Sequence, residues 1–137
     1  MYLAEAIITA AEKQNEISVI SDRINWNKVL SYINSNINEQ IDFVSLAQSN
    51  NYSYDRFRHL FTQRFGLSPY TYLTKQRIEH AKRLLKNSNS SITDIAFDCG
   101  FNSSSQFTNI FKKYVRATPK EYKKATLKVH KSSKNGQ

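Results

Sequence analysis

The chain has 137 residues, 39% of them apolar, and a formal net charge of +9, which suits one domain or two very small ones and excludes a large buried core. Residues 1–50 hold three basic and six acidic side chains, whereas 51–137 hold seventeen and five. The C-terminal part should therefore face an anion, nucleic acid ahead of an acidic membrane surface.

No run approaches the roughly 18 apolar residues of a membrane span, and the N-terminus lacks a basic region followed by an apolar one. The single cysteine, Cys99, rules out an intrachain disulfide and a cysteine-rich zinc site and suits a reducing compartment. The chain is expected in the cytoplasm, associated with the nucleoid, with no membrane partner.

Residues 2–13 read as a helix, with Leu3, Ile7, Ile8 and Ala11 at helical spacing. Residues 1–24 are expected to be a linker or docking helix, or a dimer contact; a loosely packed terminal helix fits the pattern equally well. Trp26, Val29, Leu30, Ile33 and Ile37 then form one apolar helical stripe. Asp42 is placed to cap a short helix carrying Phe43, Val44, Leu46 and Ala47, and Ser53 to start the next. In that next helix Phe57, Leu60, Phe61 and Arg64 share one side, and Asp55, Arg58, His59 and Thr62 the other.

Gly66 ends it, and Ser68-Pro69 restarts the chain with proline where its missing N–H costs nothing. A long helix to about Asn87 follows, with Tyr70, Leu73, Ile78, Ala81, Leu84 and Leu85 on its apolar side. Ser91 and Asp94 resemble a capping box. The expected organisation is all-α, about seven helices beyond the N-terminal one. Residues 25–87 form a first helix-turn-helix subdomain with the long central helix, 88–125 a second subdomain, and 126–137 a basic flexible tail.

Two stretches repeat. Ala47 matches Ala96 and Tyr52 matches Phe101 at an offset of 49; Phe57 with Phe107, Leu60 with Ile110, Phe61 with Phe111 and Pro69 with Pro119 follow at 50. The second copy thus has one extra residue at its turn. Each copy is a short helix, a turn and a second helix, the geometry that sets the second helix into a major groove.

The outward faces supply the candidates. Base-reading residues are Tyr54, Asp55, Arg58, His59 and Thr62 in copy one, and Ser104, Ser105, Thr108 and Asn109 in copy two. Phosphate contacts are Ser53, Arg64, Lys75, Asn102, Ser103, Lys112, Lys113 and Arg116. Two such helices suit successive major grooves about 34 Å apart on one side of DNA. Asp55 is equally well explained as a first-turn carboxylate beside the helix dipole. Phe57, Phe61, Phe107 and Phe111 read as core rather than base-stacking platforms. A basic helical RNA-binding or protein-interaction adaptor would use the same faces. His59, His80 and His130 show neither metal-ligand nor catalytic spacing, and no Gly-rich phosphate loop appears. No enzyme activity, metal or cofactor is expected.

The run Tyr52-Ser53, Phe57, Leu60-Phe61, Phe65-Gly66-Leu67-Ser68-Pro69, Tyr72-Leu73, Arg77-Ile78, Ala81 and Leu84-Leu85 resembles the first half of the AraC/XylS-type DNA-binding domain. Ser91-Ile92, Ile95-Ala96, Gly100-Phe101, Phe107, Phe111-Lys112-Lys113, Thr118-Pro119 and Tyr122 resemble that family's C-terminal signature. The likeness covers about residues 26–124. It implies a bacterial transcription regulator that binds double-stranded promoter DNA through both units, often bending it. It further implies an effector, sensor or dimerisation domain outside this chain, and RNA polymerase as a candidate partner. One departure stands out: Arg116 occupies a position where the family usually has glycine.

Overall fold

The computed structural model describes residues 23–135, with side chains as far as Leu127. The expected helix over residues 2–13 lies outside the described residues. Seven helices follow in order: α1 (Trp26–Ser35), α2 (Phe43–Ser49), α3 (Tyr54–Phe65), α4 (Pro69–Asn87), α5 (Ile92–Asp98), α6 (Ser104–Val115) and α7 (Pro119–Asn135). There is no strand among the described residues.

Two compact units divide the chain. One contains the described residues up to Tyr32 together with Asp42–Pro69; the other contains Ile33–Ile41 and the chain from Tyr70 onward. The long helix α4 therefore groups with the second unit, whereas the sequence reading assigned it to the first. α1 stops at Ser35, so Ile37 falls in the turn that follows rather than on the helical stripe.

The first unit is built on aromatic packing. Trp26, 6% exposed, lies 5.9 Å from Phe57, 5.8 Å from Phe61 and 5.5 Å from Phe65, the last two edge-on. Edge-on and tilted pairs at this spacing add attraction beyond buried area. With Val29, Phe43, Ala47 and Leu60 these residues make a core that fixes the inner side of α3.

The second unit repeats the plan around Phe101, Phe107, Phe111 and Tyr122, with successive ring centroids 5.2, 5.5 and 5.6 Å apart. Ile78, Ala81 and Leu85 of α4, with Ile95, Ala96 and Cys99, complete this core. Tyr70, expected on the apolar side of α4, is 59% exposed, although Pro69 before it and Leu73 after it are buried. The sequence predicts a flexible tail after Ala125, yet α7 continues to Asn135. Neither Gly nor Pro occurs between Pro119 and Gly136, so nothing in that stretch breaks the helix.

Candidate nucleic-acid interface

The two copies are alike in backbone detail. α2 and α5 each have seven residues, and α3 and α6 each have twelve. In the turn of copy one, Asn51 is left-handed (φ 66°) and the Tyr52 N–H donates to the Ala47 carbonyl at 3.0 Å. In copy two, Gly100 is left-handed (φ 88°) and the Phe101 N–H donates to the Ala96 carbonyl at 2.9 Å. The extra residue of copy two falls between this bond and the next cap, at Asn102.

Side-chain caps set where each helix begins. The Ser53 hydroxyl accepts from the Arg56 N–H at 3.2 Å and the Ser103 hydroxyl from the Gln106 N–H at 3.0 Å. Gln106 reaches back to accept from the Asn102 N–H at 2.8 Å. Ser53, Ser103 and Asn102, read from sequence as phosphate contacts, are thus first of all structural: the Asn102 side chain also accepts from Gln40 Nε2 at 3.4 Å. The two serine hydroxyl protons remain available to an incoming oxygen. Ser91 caps α5 through the Asp94 N–H at 3.0 Å, the forward half of the expected capping box.

On α3, Phe57, Leu60 and Phe61 are buried, whereas Asp55, Arg58, His59, Thr62 and Arg64 are exposed and Tyr54 is half-buried. Arg58 lies 3.9 Å from Asp55, a loose surface pair worth a few tenths of a kcal/mol, about the usual i,i+3 value, so incoming DNA can displace it. Thr62 donates to the Arg58 carbonyl at 2.8 Å and keeps its hydroxyl oxygen as an acceptor. Arg56, exposed at the margin of this face, is a cation that a strict count of the outward stripe omits. Its signal is its place in the first turn, two residues before Arg58.

On α6, Phe107 and Phe111 are buried; Ser105, Asn109, Lys112 and Lys113 are exposed, and Ser104 and Thr108 half-buried. Arg116 ends the helix in the left-handed region (φ 68°, ψ 21°), the conformation of its counterpart Gly66 (φ 79°, ψ 1°). A non-glycine residue there costs about 1 kcal/mol. Asn109, Lys112, Lys113 and Arg116 line one open depression of about 660 Å³. Lys75 lies elsewhere, on α4, and lines a separate cleft with Glu79, Lys82 and Tyr114.

The remaining titratable groups are structural. Burial, followed by the charge of Asp98, pushes the Cys99 thiol up to about 12, so it stays protonated and inert. His80, half-buried, has its pKa lowered by burial and then by Arg83. Glu121 is held below the usual carboxylate range first by the Thr118 N–H and then by its hydroxyl, in a reciprocal capping box at 2.8 and 3.1 Å. No cluster of potential metal ligands occurs among the described residues, and none of their helices is long and apolar enough to cross a membrane.

A short helix, a left-handed turn and a capped second helix with a polar outer face, present twice, define a double helix-turn-helix protein. Residues 46–125 match the family described as a helix-turn-helix domain. The chain belongs to the AraC-type branch of these DNA-binding domains, found in bacterial transcription regulators rather than enzymes. It is 28% identical over 134 residues to the HTH-type transcriptional activator RhaR of Mannheimia succiniciproducens, covering 93% of this chain and 49% of that protein. A transcriptional regulator of Chromobacterium violaceum, described as AraC-type, superposes with a TM-score of 0.66 at 28% identity, over 71% of this chain and 87% of that one. The DNA-binding domain of AdpA in complex with a target DNA superposes with a TM-score of 0.69 at 29% identity, over 72% and 89%. The chain spans about half the length of RhaR.

Proposed function

We propose that this chain is the sequence-specific, promoter-binding part of a bacterial transcription regulator, with α3 and α6 as its two recognition helices in successive major grooves of one duplex. The observation that carries the reading is the pairing of two twelve-residue helices behind matched left-handed turns, each burying its phenylalanines and exposing polar and cationic groups. AdpA's domain, similar in fold, was captured on a target DNA, which supports the same ligand here.

Arg58, His59, Asp55, Thr62 and Tyr54 read base edges from α3; Asn109, Ser105, Thr108 and Ser104 do so from α6. Arginine and asparagine have the forked donor and acceptor geometry that discriminates guanine and adenine, whereas serine reads weakly or through water. α3 is therefore the sharper reader. Ser53, Arg64, Lys75, Asn102, Ser103, Lys112, Lys113 and Arg116, joined by Arg56, hold phosphates and register. The regulator works in the cytoplasm on the nucleoid, beside an effector-sensing or dimerisation domain, and addresses RNA polymerase at the promoter.

Selection of tight binders from random duplexes, followed by footprinting across a salt series, tests this reading. Binding should weaken steeply with salt, and protection should cover two major-groove segments about one helical turn apart. Protection of a single segment would remove α3 or α6 from the interface. Equal affinity for structured RNA would replace the reading with that of a general basic adaptor.

A further inference from the structure

The second recognition helix ends on a cation where the backbone favours glycine. Gly66 and Arg116 are matched C-caps, both left-handed, and their N–H groups donate to the Thr62 carbonyl at 2.8 Å and the Lys112 carbonyl at 2.9 Å. Around Gly66 nothing lies within 4 Å of where a Cβ would sit, so this kind of cap has room for a side chain without calling for one. At Arg116 a long side chain is carried on backbone that disfavours it. Strain of this sort points to a function when a site is present to use it.

Such a site is present. Asn109, Lys112, Lys113 and Arg116 recur at i, i+3, i+4 and i+7, a single helical stripe, and together line the open depression at the end of α6. Among the described residues no carboxylate lines it. The stripe begins on the base-reading residue Asn109 and ends on three cations, the order met along a recognition helix as it leaves the groove floor for the backbone. Arginine's planar fork matches two phosphate oxygens, which lysine does only as a point charge.

We propose that Arg116, supported by Lys112 and Lys113, clamps one DNA phosphodiester at the exit of the second recognition helix, a contact that the glycine-ended first helix lacks. The inference rests on the DNA-binding reading above. The competing explanation is that Arg116 only complements the negative end of the α6 dipole, which would leave DNA affinity indifferent to it.

Arg116→Gly and Arg116→Lys should be compared with the parent on one selected duplex, across a salt series, with thermal melting alongside. One lost phosphate contact should reduce the salt slope by about 0.9 and, at about 0.1 M salt, weaken binding roughly five- to tenfold. The glycine variant should show this loss while melting no lower than the parent, since it relieves the left-handed backbone. Arg116→Lys should retain most of the slope. Unchanged affinity and slope in Arg116→Gly overturns the clamp, and so does weaker binding that tracks a lowered melting temperature. If the parent itself binds no duplex in a salt-dependent manner, the DNA-binding reading falls first.

Discussion

Arg77 donates from Nε to the carbonyl of Ile37, forty residues earlier, at 2.7 Å, and from Nη2 to the Glu39 carbonyl at 2.8 Å. It is only 6% exposed, and burial lowers its pKa. Its ring-side neighbour is Phe101, 5.9 Å from the guanidinium carbon. A buried cation is costly unless hydrogen-bonded. Here it holds the irregular turn after α1, which has few backbone bonds of its own, against the second unit's core.

Arg77→Met should leave two part-buried carbonyls without their charged donor and lower unfolding stability by about 1–3 kcal/mol, the usual penalty for an acceptor stripped of its partner. Arg77→Lys should recover little of this, because one ammonium cannot reproduce the fork. Urea denaturation reads both; the midpoint should move while the slope stays constant. A loss under about 1 kcal/mol for Arg77→Met would show that the turn holds itself.

Gly100 and Gly66 are both left-handed but differ in surroundings. A Cβ at Gly100 would collide with the Ile37 carbonyl oxygen and lie 2.7 Å from Arg77 Nε, whereas one at Gly66 meets open space. Gly66→Ala should therefore cost only the backbone term, about 1 kcal/mol. Gly100→Ala should cost clearly more, on the order of 3 kcal/mol, because it also displaces the Arg77 tether. Melting temperatures of the two variants side by side test this; equal shifts would mean that the close approach at Gly100 is absorbed without strain.

These two sites also show what a linear reading can reach. Helix positions, the repeat, the caps at Asp42, Ser53 and Ser91 and the buried Phe57, Phe61, Phe107 and Phe111 depend on spacing within a few residues, so they were legible. The left-handed cap at Arg116 was hinted at only through the resemblance to a family that usually has glycine there; its match to Gly66 emerges from the fold. Arg77 was visible only as part of a family resemblance, since its role depends on carbonyls about forty residues away. The same holds for Asn102, which sequence reading aims at phosphate and the fold ties to Gln40 and Gln106. Tyr70 shares the angle of the buried α4 residues yet stays exposed, a distinction periodicity does not make.

Asp42 caps α2 by accepting from the Val44 and Ser45 N–H groups at 3.0 and 3.2 Å and from the Ser45 hydroxyl at 2.8 Å. The Ser45 hydroxyl, then its N–H, holds the carboxyl below its usual 3.8. A folded pKa below the unfolded one means that the cap's contribution is complete above the unfolded value and is lost as pH falls through the folded one. Asp42→Asn keeps a capping oxygen but does not titrate. Its stability deficit relative to the parent should be present at about pH 6 and shrink below about pH 4. A deficit that stayed constant on acidification would show that the carboxylate's charge contributes nothing.

The division of labour between base readers and phosphate contacts gives the last prediction. Arg58 stands mid-face on α3, exposed and held only by the 3.9 Å approach of Asp55; Lys113 stands in the last turn of α6 beside the basic depression. Arg58→Ala should flatten preference at one or two base positions, removing about 1–3 kcal/mol of discrimination there. Lys113→Ala should weaken binding to all duplexes alike and reduce the salt slope by about 1. Asp55→Asn frees Arg58 from its carboxylate and should leave or raise affinity if Asp55 is only a first-turn carboxylate, but should alter the preferred base if Asp55 itself accepts from cytosine. Binding measured against a panel of single-base variants of the selected site separates these outcomes. If Arg58→Ala and Lys113→Ala both lowered affinity uniformly across the panel, Arg58 would be a phosphate contact and the discriminating residues of α3 would have to be His59, Thr62 or Tyr54.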